Sequence, residues 1–198
     1  MGTLNKFNLN EYITKFDTQV FVETGLGTGN SFNYARQFSF NKLYSCDIDN
    51  LAITKYNADS NDSRLTIFGQ SSEISLPIFL QEIENSSSNI LFWLDAHFPN
   101  ETNGAAYDQE QDLNIRLPLE KELNLIFQER IRKNFTKDVI IIDDLRIYKD
   151  QKYSGGSMKE IGLDHIAKYG LDFLDNYKPT HNFIEILDDQ GYLILEPN

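Results

Sequence analysis

The chain has 198 residues and a formal net charge of −12, with 40% hydrophobic and 24% charged residues. Such a length supports one domain with a sizeable core, here expected over residues 1–198, and the composition is that of a globular protein. The acidic balance, with Lys and Arg dispersed rather than clustered, argues against a protein that grips nucleic-acid phosphates, and no run of 18 apolar residues marks a membrane span.

No apolar stretch follows Met1, so no signal peptide is expected. The lone Cys46 fits a reducing, cytoplasmic setting and is read as a buried, inert thiol.

Taken in order, residues 9–16 read as a short entry helix. Val20-Phe21-Val22 is the apolar run of a buried parallel strand and leads to Glu23. Gly25, Gly27 and Gly29 follow at alternate positions, and a helix is expected over about 31–38. A strand, a glycine turn and a helix start form a cofactor cradle. Glycine admits positive φ and close approach of a ligand, and free N–H groups at a helix start favour an anionic or polar group. The dinucleotide pattern G-x-G-x-x-G needs glycine where this chain has Asn30.

A second strand over 42–46 ends at Asp47-Ile48-Asp49, and a helix is expected over about 50–58. A third strand, 64–68, ends at Gly69-Gln70-Ser71-Ser72. Ser71 or Ser72 would cap a helix to about Glu84, although Pro77 suggests a start at Leu76 with proline in the first turn. The apolar run 89–94 predicts a central strand ending at Asp95-Ala96-His97. Residues 98–117 are polar and aperiodic, a loop length that in compact domains is usually functional or disordered. From Pro118 to about Lys133 a periodic helix places Leu119, Leu123, Ile126 and Phe127 on one face. The fifth strand, 138–142, ends at Asp143-Asp144. An irregular segment, 146–157, carries Gly155-Gly156, and a helix is expected over about 158–169. Residues 183–187, the turn 188–191 and residues 192–195 form a hairpin signal.

Five strands alternating with helices mean a parallel sheet covered on both faces. The pattern Glu23-x-Gly25-x-Gly27-x-Gly29, an acid at Asp47 and the closing hairpin resemble the class I S-adenosylmethionine (SAM) methyltransferases. That resemblance implies an α/β fold: a Rossmann-like three-layer sandwich with a mostly parallel seven-stranded sheet, order 3-2-1-4-5-7-6, and a C-terminal antiparallel hairpin. It implies SAM as cofactor, bound by Glu23, Gly25, Gly27, Gly29 and Asp95, with Asp47 at the ribose hydroxyls and Gln70 and Ser71 at the adenine.

Asp95, Asp143 and Asp144 would stand at the ends of neighbouring strands and repel one another unless a cation or proton lies between them. Oxygen-rich sites select Mg²⁺, Ca²⁺ or Mn²⁺. The trio resembles the metal site of divalent-cation-dependent small-molecule and sugar O-methyltransferases, where a metal-bound hydroxyl loses its proton more easily. The runs Phe92-Trp93-Leu94-Asp95-Ala96-His97, Pro118-Leu119-x-x-Glu122-Leu123 and Ile141-Ile142-Asp143-Asp144-x-Arg146 resemble methyltransferase-like proteins tied to sugar modification. Ala96 stands where those have glycine, and Leu145 where they have alanine. His97 and Asp95 are the catalytic candidates, His97 as general base or further metal ligand. His165 and His181 are expected to be structural.

The expected function is O-methylation of a small molecule or sugar hydroxyl. The alternative is a SAM- or nucleotide-binding module without catalysis. An NAD(P)-dependent oxidoreductase is disfavoured by Asn30 and by the lack of a Tyr-x-x-x-Lys pair after strand four. Expected partners are a small-molecule or sugar acceptor, with no nucleic acid and no membrane; the sequence leaves the oligomeric state open, a homodimer included. Residues 98–117, rich in Asn, Asp and Glu and carrying Tyr107 and Arg116, are expected to form a lid hinged at Gly104-Ala105-Ala106.

Overall fold

The computed structural model describes residues 3–49, 53–54, 56, 61–84, 88–97 and 113–198. Its strands are β1 (Thr18–Thr24), β2 (Lys42–Cys46), β3 (Leu65–Phe68), β4 (Asn89–Leu94), β5 (Val139–Ile142), β6 (His181–Ile186) and β7 (Tyr192–Pro197). They form one sheet in the order β3-β2-β1-β4-β5-β7-β6. The first five run parallel, and β7 enters antiparallel between β5 and β6. This is the expected α/β architecture with its C-terminal hairpin.

Alternation along each strand divides the core in two. Val20, Val22, Ile90, Phe92, Ile140 and Ile142 belong to one cluster. Phe21, Leu91, Trp93, Val139 and Ile141 belong to the other. The first is covered by α3 (Ser72–Glu84) and α5 (Leu119–Glu129), the second by α1 (Leu9–Phe16) and α2 (Asn30–Ala35). Burial on both faces explains why β4 and β5 are continuous apolar runs rather than alternating ones.

Four expectations need correction. First, α2 ends at Ala35, short of residue 38. Arg64 supplies the reason: its guanidinium donates to the carbonyls of Arg36, Phe38 and Phe40 and so holds a turn in place of further helix. Second, of the two starts considered for α3, the serine one holds and the one at Leu76 does not: the helix runs from Ser72 to Glu84 and carries Pro77 inside it. Pro77 lies on the exposed face, so the carbonyl of Glu73 that it leaves without a donor faces water. Third, no helix spans 158–169. Gly162, at φ +79, closes a single turn through Leu163 N–H to the Met158 carbonyl, and a short 3-10 turn, Asp164–Ile166, follows. Fourth, within the expected loop, Leu113–Arg116 forms a helical turn, α4. The remaining lid residues, 98–112, lie outside the described residues. Of the helix expected over 50–58, only Ile53, Thr54 and Tyr56 are described, and they are helical.

Among the described residues no helix is long and apolar enough to cross a membrane.

Candidate functional site

The sheet order reverses direction between β1 and β4, and a crevice opens there beyond the strand ends. It is a cleft of about 640 Å³, reached by the glycine turn, by the ends of β2 to β5 and by the N-terminal residues Thr3, Leu4 and Asn5. Such a volume suits a small-molecule ligand.

Each glycine of the turn is required for a different reason. Gly25 has φ +83, and a Cβ there would lie 2.3 Å from the backbone oxygen of Asp95. Gly27 has φ +49, yet a Cβ would meet nothing within 4 Å, so the turn is open on that side. Gly29, φ +76, immediately precedes α2, and a Cβ would strike the Tyr56 ring at 2.7 Å. The turn is pinned from β2: the N–H groups of Gly25 and Leu26 both donate to the Cys46 carbonyl. Asp47 adds a second tie, its Oδ2 accepting from Gly27 N–H at 2.7 Å and its Oδ1 from Asp49 N–H at 2.8 Å. Burial raises the Asp47 carboxyl, and these backbone bonds partly offset that rise.

Of the residues expected to bind a cofactor, Gly25, Gly27, Asp47, Gln70, Ser71 and Asp95 line the cleft. Glu23 and Gly29 are not among its lining residues. Glu23 follows Phe21 onto the α2 side of the sheet, fully buried beneath the turn. One of its oxygens accepts from Ser45 Oγ at 2.6 Å and the other has no partner. Burial holds this carboxyl well above the usual range. The Glu23 carboxyl thus meets Ser45 of β2 in the interior and does not reach the cleft.

The ends of β4 and β5 bring the acids and His97 together. Asp95, His97 and Asp143 each offer a ligand atom within 4.8 Å of the others. Two members of the expected trio of Asp95, Asp143 and Asp144 are in this group, together with His97, which was also a candidate ligand. Asp144 adopts a left-handed conformation, φ 51, and turns to His97, with Oδ2 2.8 Å from Nε2. Its other oxygen lies 3.3 Å from Arg146 Nε. Arg146 is anchored in turn by the carbonyls of Gly155 and Gly156.

The electrostatics follow from burial. Asp95 is held well above its ordinary range by burial and then by the charge of Asp143. Asp143 is raised to about 6 by burial and then by Asp144. Burial alone would lower His97, but the Asp144 hydrogen bond and the charges of Asp144, Asp95 and Asp143 outweigh it and lift the imidazole to about 9. The metal-free cluster thus retains protons that water-exposed groups would release.

Two further residues were given no role from the sequence, although Glu122 stands in one of the runs that carry the resemblance. Glu122 is buried on α5 beside His97 and Tyr148, with Oε1 unpaired. Burial raises it, and Ser72, Thr24 and His97 partly counter the rise. Its signal was legible: a glutamate on the same stripe as Leu119, Leu123 and Ile126 breaks an apolar face. Gln190, in the β6–β7 turn, lines the cleft, and nothing in a hairpin turn sequence marks it. His181 is structural as expected, set between Thr180 Oγ1 and the Asp138 carbonyl. His165 sits in the short turn over Asp164–Ile166, away from the cleft lining. Burial pushes the Cys46 thiol up, consistent with an inert side chain.

No family model matches the chain, and no curated protein matches it in sequence. Solved structures do resemble it. The methyltransferase domain of bacterial-CtHen1-CN aligns with a TM-score of 0.50 and 13% identity, covering 98% of this chain and 96% of that one. N-methyltransferase NodS from Bradyrhizobium japonicum WM9 gives 0.47 and 11%, covering 96% and 92%. A SAM-dependent methyltransferase from Anabaena variabilis ATCC 29413 gives 0.46 and 9%, covering 98% and 85%. At these identities the likeness is one of architecture, and the chain has the seven-stranded Rossmann-like fold found in SAM-dependent methyltransferases.

Proposed function

We propose that the chain, acting as one unit over residues 1–198, transfers the methyl group of SAM to a hydroxyl oxygen of a small molecule or sugar, aided by a divalent cation. The observation that carries this reading is the convergence of the glycine turn, Asp47 and the Asp95–His97–Asp143 cluster on one cleft at the switch point of the sheet.

The cleft's chemistry suits both groups. Gly27 leaves open space where a Cβ would intrude, and Asp47 keeps free lone pairs for ribose hydroxyls beside Gln70 and Ser71. Asp143 has a buried oxygen with no donor, the kind of atom a cation satisfies. When bound, SAM supplies an electrophilic methyl carbon and the cation makes a coordinated hydroxyl more acidic. Asp95 and Asp143 would hold the cation and with it the acceptor hydroxyl. His97, between Asp95 and Asp144, would take up the hydroxyl proton at a ring nitrogen once the charge of a bound cation has displaced the proton it holds against Asp144. Held by the glycine turn and Asp47, SAM would give its methyl group to that oxygen, the carbon–sulfur bond breaking as the carbon–oxygen bond forms, and would leave as S-adenosylhomocysteine. The acidic lining favours a small acceptor over a nucleic acid.

Calorimetry with SAM, S-adenosylhomocysteine and NAD tests the cofactor. Release of S-adenosylhomocysteine over a panel of hydroxylated acceptors with Mg²⁺ or Mn²⁺ tests the reaction. Tight NAD binding without SAM binding overturns the reading. SAM binding without turnover on any acceptor leaves a binding module instead.

A further inference from the structure

The β6–β7 turn is fixed more firmly than a surface hairpin needs to be. Arg146 N–H donates to the Gln190 carbonyl at 3.1 Å, and Leu145 N–H to that of Gly191 at 2.9 Å. Gly155 N–H donates to the Asp189 carbonyl, and Asp189 N–H to Ser154 Oγ, both at 2.7 Å. Lys6 reaches Asp189 from the N-terminal segment at 2.5 Å. Close packing completes the lock, because a Cβ on Gly155 would lie 2.6 Å from the Asp189 carbonyl and one on Gly191 2.2 Å from the Tyr153 ring.

This anchored turn delivers Gln190 to the cleft wall, where its Oε1 is shielded from bulk water and meets no donor from the protein. The residue stands on the β5–β7 side of β4, away from the glycine turn and Asp47. It therefore belongs to the half of the cleft that a cofactor on the turn would leave free. Buried acceptors without donors mark places where a ligand's hydrogen completes the bond. Arg146 is the one Lys or Arg among the described lining residues, and it directs Nη1 to the Gly155 and Gly156 carbonyls and Nε toward Asp144. His97, the other basic group of the lining, already faces Asp144 and Asp95, so this end of the cleft asks for hydrogen-bond donors and sets an anion beside three carboxylates.

We propose that Gln190 is a specificity-determining residue whose side-chain carbonyl accepts a hydrogen bond from a hydroxyl of the acceptor, selecting an uncharged polyol over carboxylated or phosphorylated sugars. This rests on the methyltransferase reading above.

The test uses the full chain with SAM, Mn²⁺ and a panel of methyl glycosides, each paired with its uronate and its sugar phosphate, scored by S-adenosylhomocysteine release. Neutral glycosides should be preferred by about tenfold or more in kcat/KM. Gln190→Met should raise KM for the preferred glycoside by about tenfold with kcat little changed, the mark of lost uniform binding. Gln190→Glu, which keeps acceptor oxygens, should restore most of that loss. SAM affinity by calorimetry should be the same in all three proteins. Preference for the charged sugars, an unchanged KM in Gln190→Met, or SAM binding with no glycoside turned over each overturns the assignment. Loss of SAM binding by the parent protein would instead strike at the cofactor reading itself.

Discussion

The Nε2 atom of His97 lies 2.8 Å from Oδ2 of Asp144, with both side chains almost wholly buried. Burial opposes the imidazolium, yet Asp144 and its acidic neighbours lift His97 to about 9. A histidine raised above its unfolded value of about 6.5 stabilises the fold fully below that pH, and the gain is lost as pH rises through about 9. Asp144→Asn keeps the shape and removes the charge. It should cost on the order of 1–3 kcal/mol at pH 6 and much less at pH 9.5, read by urea unfolding at the two pH values. An equal loss at both would show that the pair does not hold the proton.

Asp143 gives the opposite sign. Its carboxyl is raised to about 6, first by burial and then by Asp144. An acid raised above its unfolded value costs the fold stability as pH climbs from about 4 through about 6. Asp143→Asn should therefore stabilise the metal-free protein at pH 7.5, by on the order of 1–3 kcal/mol, while abolishing any stabilisation by Mn²⁺. Thermal unfolding with and without MnCl2 decides. A variant less stable than the parent in the absence of metal would contradict the repulsion argument.

Gly25 and Gly27 separate folding from binding within one turn. Gly25→Ala faces both a positive φ and a clash with the Asp95 backbone at 2.3 Å, so it should cost several kcal/mol, roughly 3 or more. Gly27→Ala faces only the φ cost, about 1–2 kcal/mol, because its Cβ meets nothing. That Cβ would stand in the open part of the turn and should weaken SAM by about tenfold or more. Denaturant unfolding and calorimetry on both variants should give opposite rankings for stability and for affinity.

The strand order came from the resemblance to class I methyltransferases that the glycine turn, Asp47 and the closing hairpin carry, whereas alternating apolar runs and helices made a parallel sheet covered on both faces legible. The strand-end polar residues were legible for the same reason: a parallel sheet sends them all to one edge. Which way each side chain points was less accessible. Glu23 looked like a ligand contact, but the period of the strand sends it under the turn with Ser45. Asp144 looked equivalent to Asp143, yet its left-handed backbone turns it to His97 and Arg146 instead. Neither the φ of Asp144 nor the turn at Gly162 is written in hydrophobic periodicity. Glu122 was in plain view, both within the run Pro118-Leu119-x-x-Glu122-Leu123 and as the one acid on an apolar stripe, yet its burial beside His97 was not foreseen.

The opposite end of the sheet carries a buried ion pair that the site does not use. Arg130 and Asp138 are both wholly buried, with Nε to Oδ2 at 2.7 Å and Nη2 to Oδ1 at 2.8 Å. Nη2 also donates to the Ser88 carbonyl, Asp138 Oδ1 accepts from Ile90 N–H, and the guanidinium lies 4.0 Å from the Phe135 ring centroid. The pair thus ties the starts of β4 and β5 to the turn after α5. Burial raises the Asp138 carboxyl even against the pull of Arg130. Arg130→Met removes that pull and leaves a carboxylate in the core, at a cost of about 3–5 kcal/mol. Asp138 can escape part of the penalty by taking a proton. The deficit against the parent should then be smallest near pH 5 and grow toward pH 8, since an acid raised in the folded state loses stability as pH rises. Arg130→Met with Asp138→Asn should be more stable at pH 8 than Arg130→Met alone and largely free of that slope. SAM affinity of the folded fraction should match the parent in each variant, because the pair sits at the strand ends remote from the cleft. Urea unfolding of the three proteins between pH 5 and pH 8 provides the measurement. A deficit that is flat across this range would mean that Asp138 stays ionised without its partner, and that the backbone donors at Ile90, not Arg130, hold its charge.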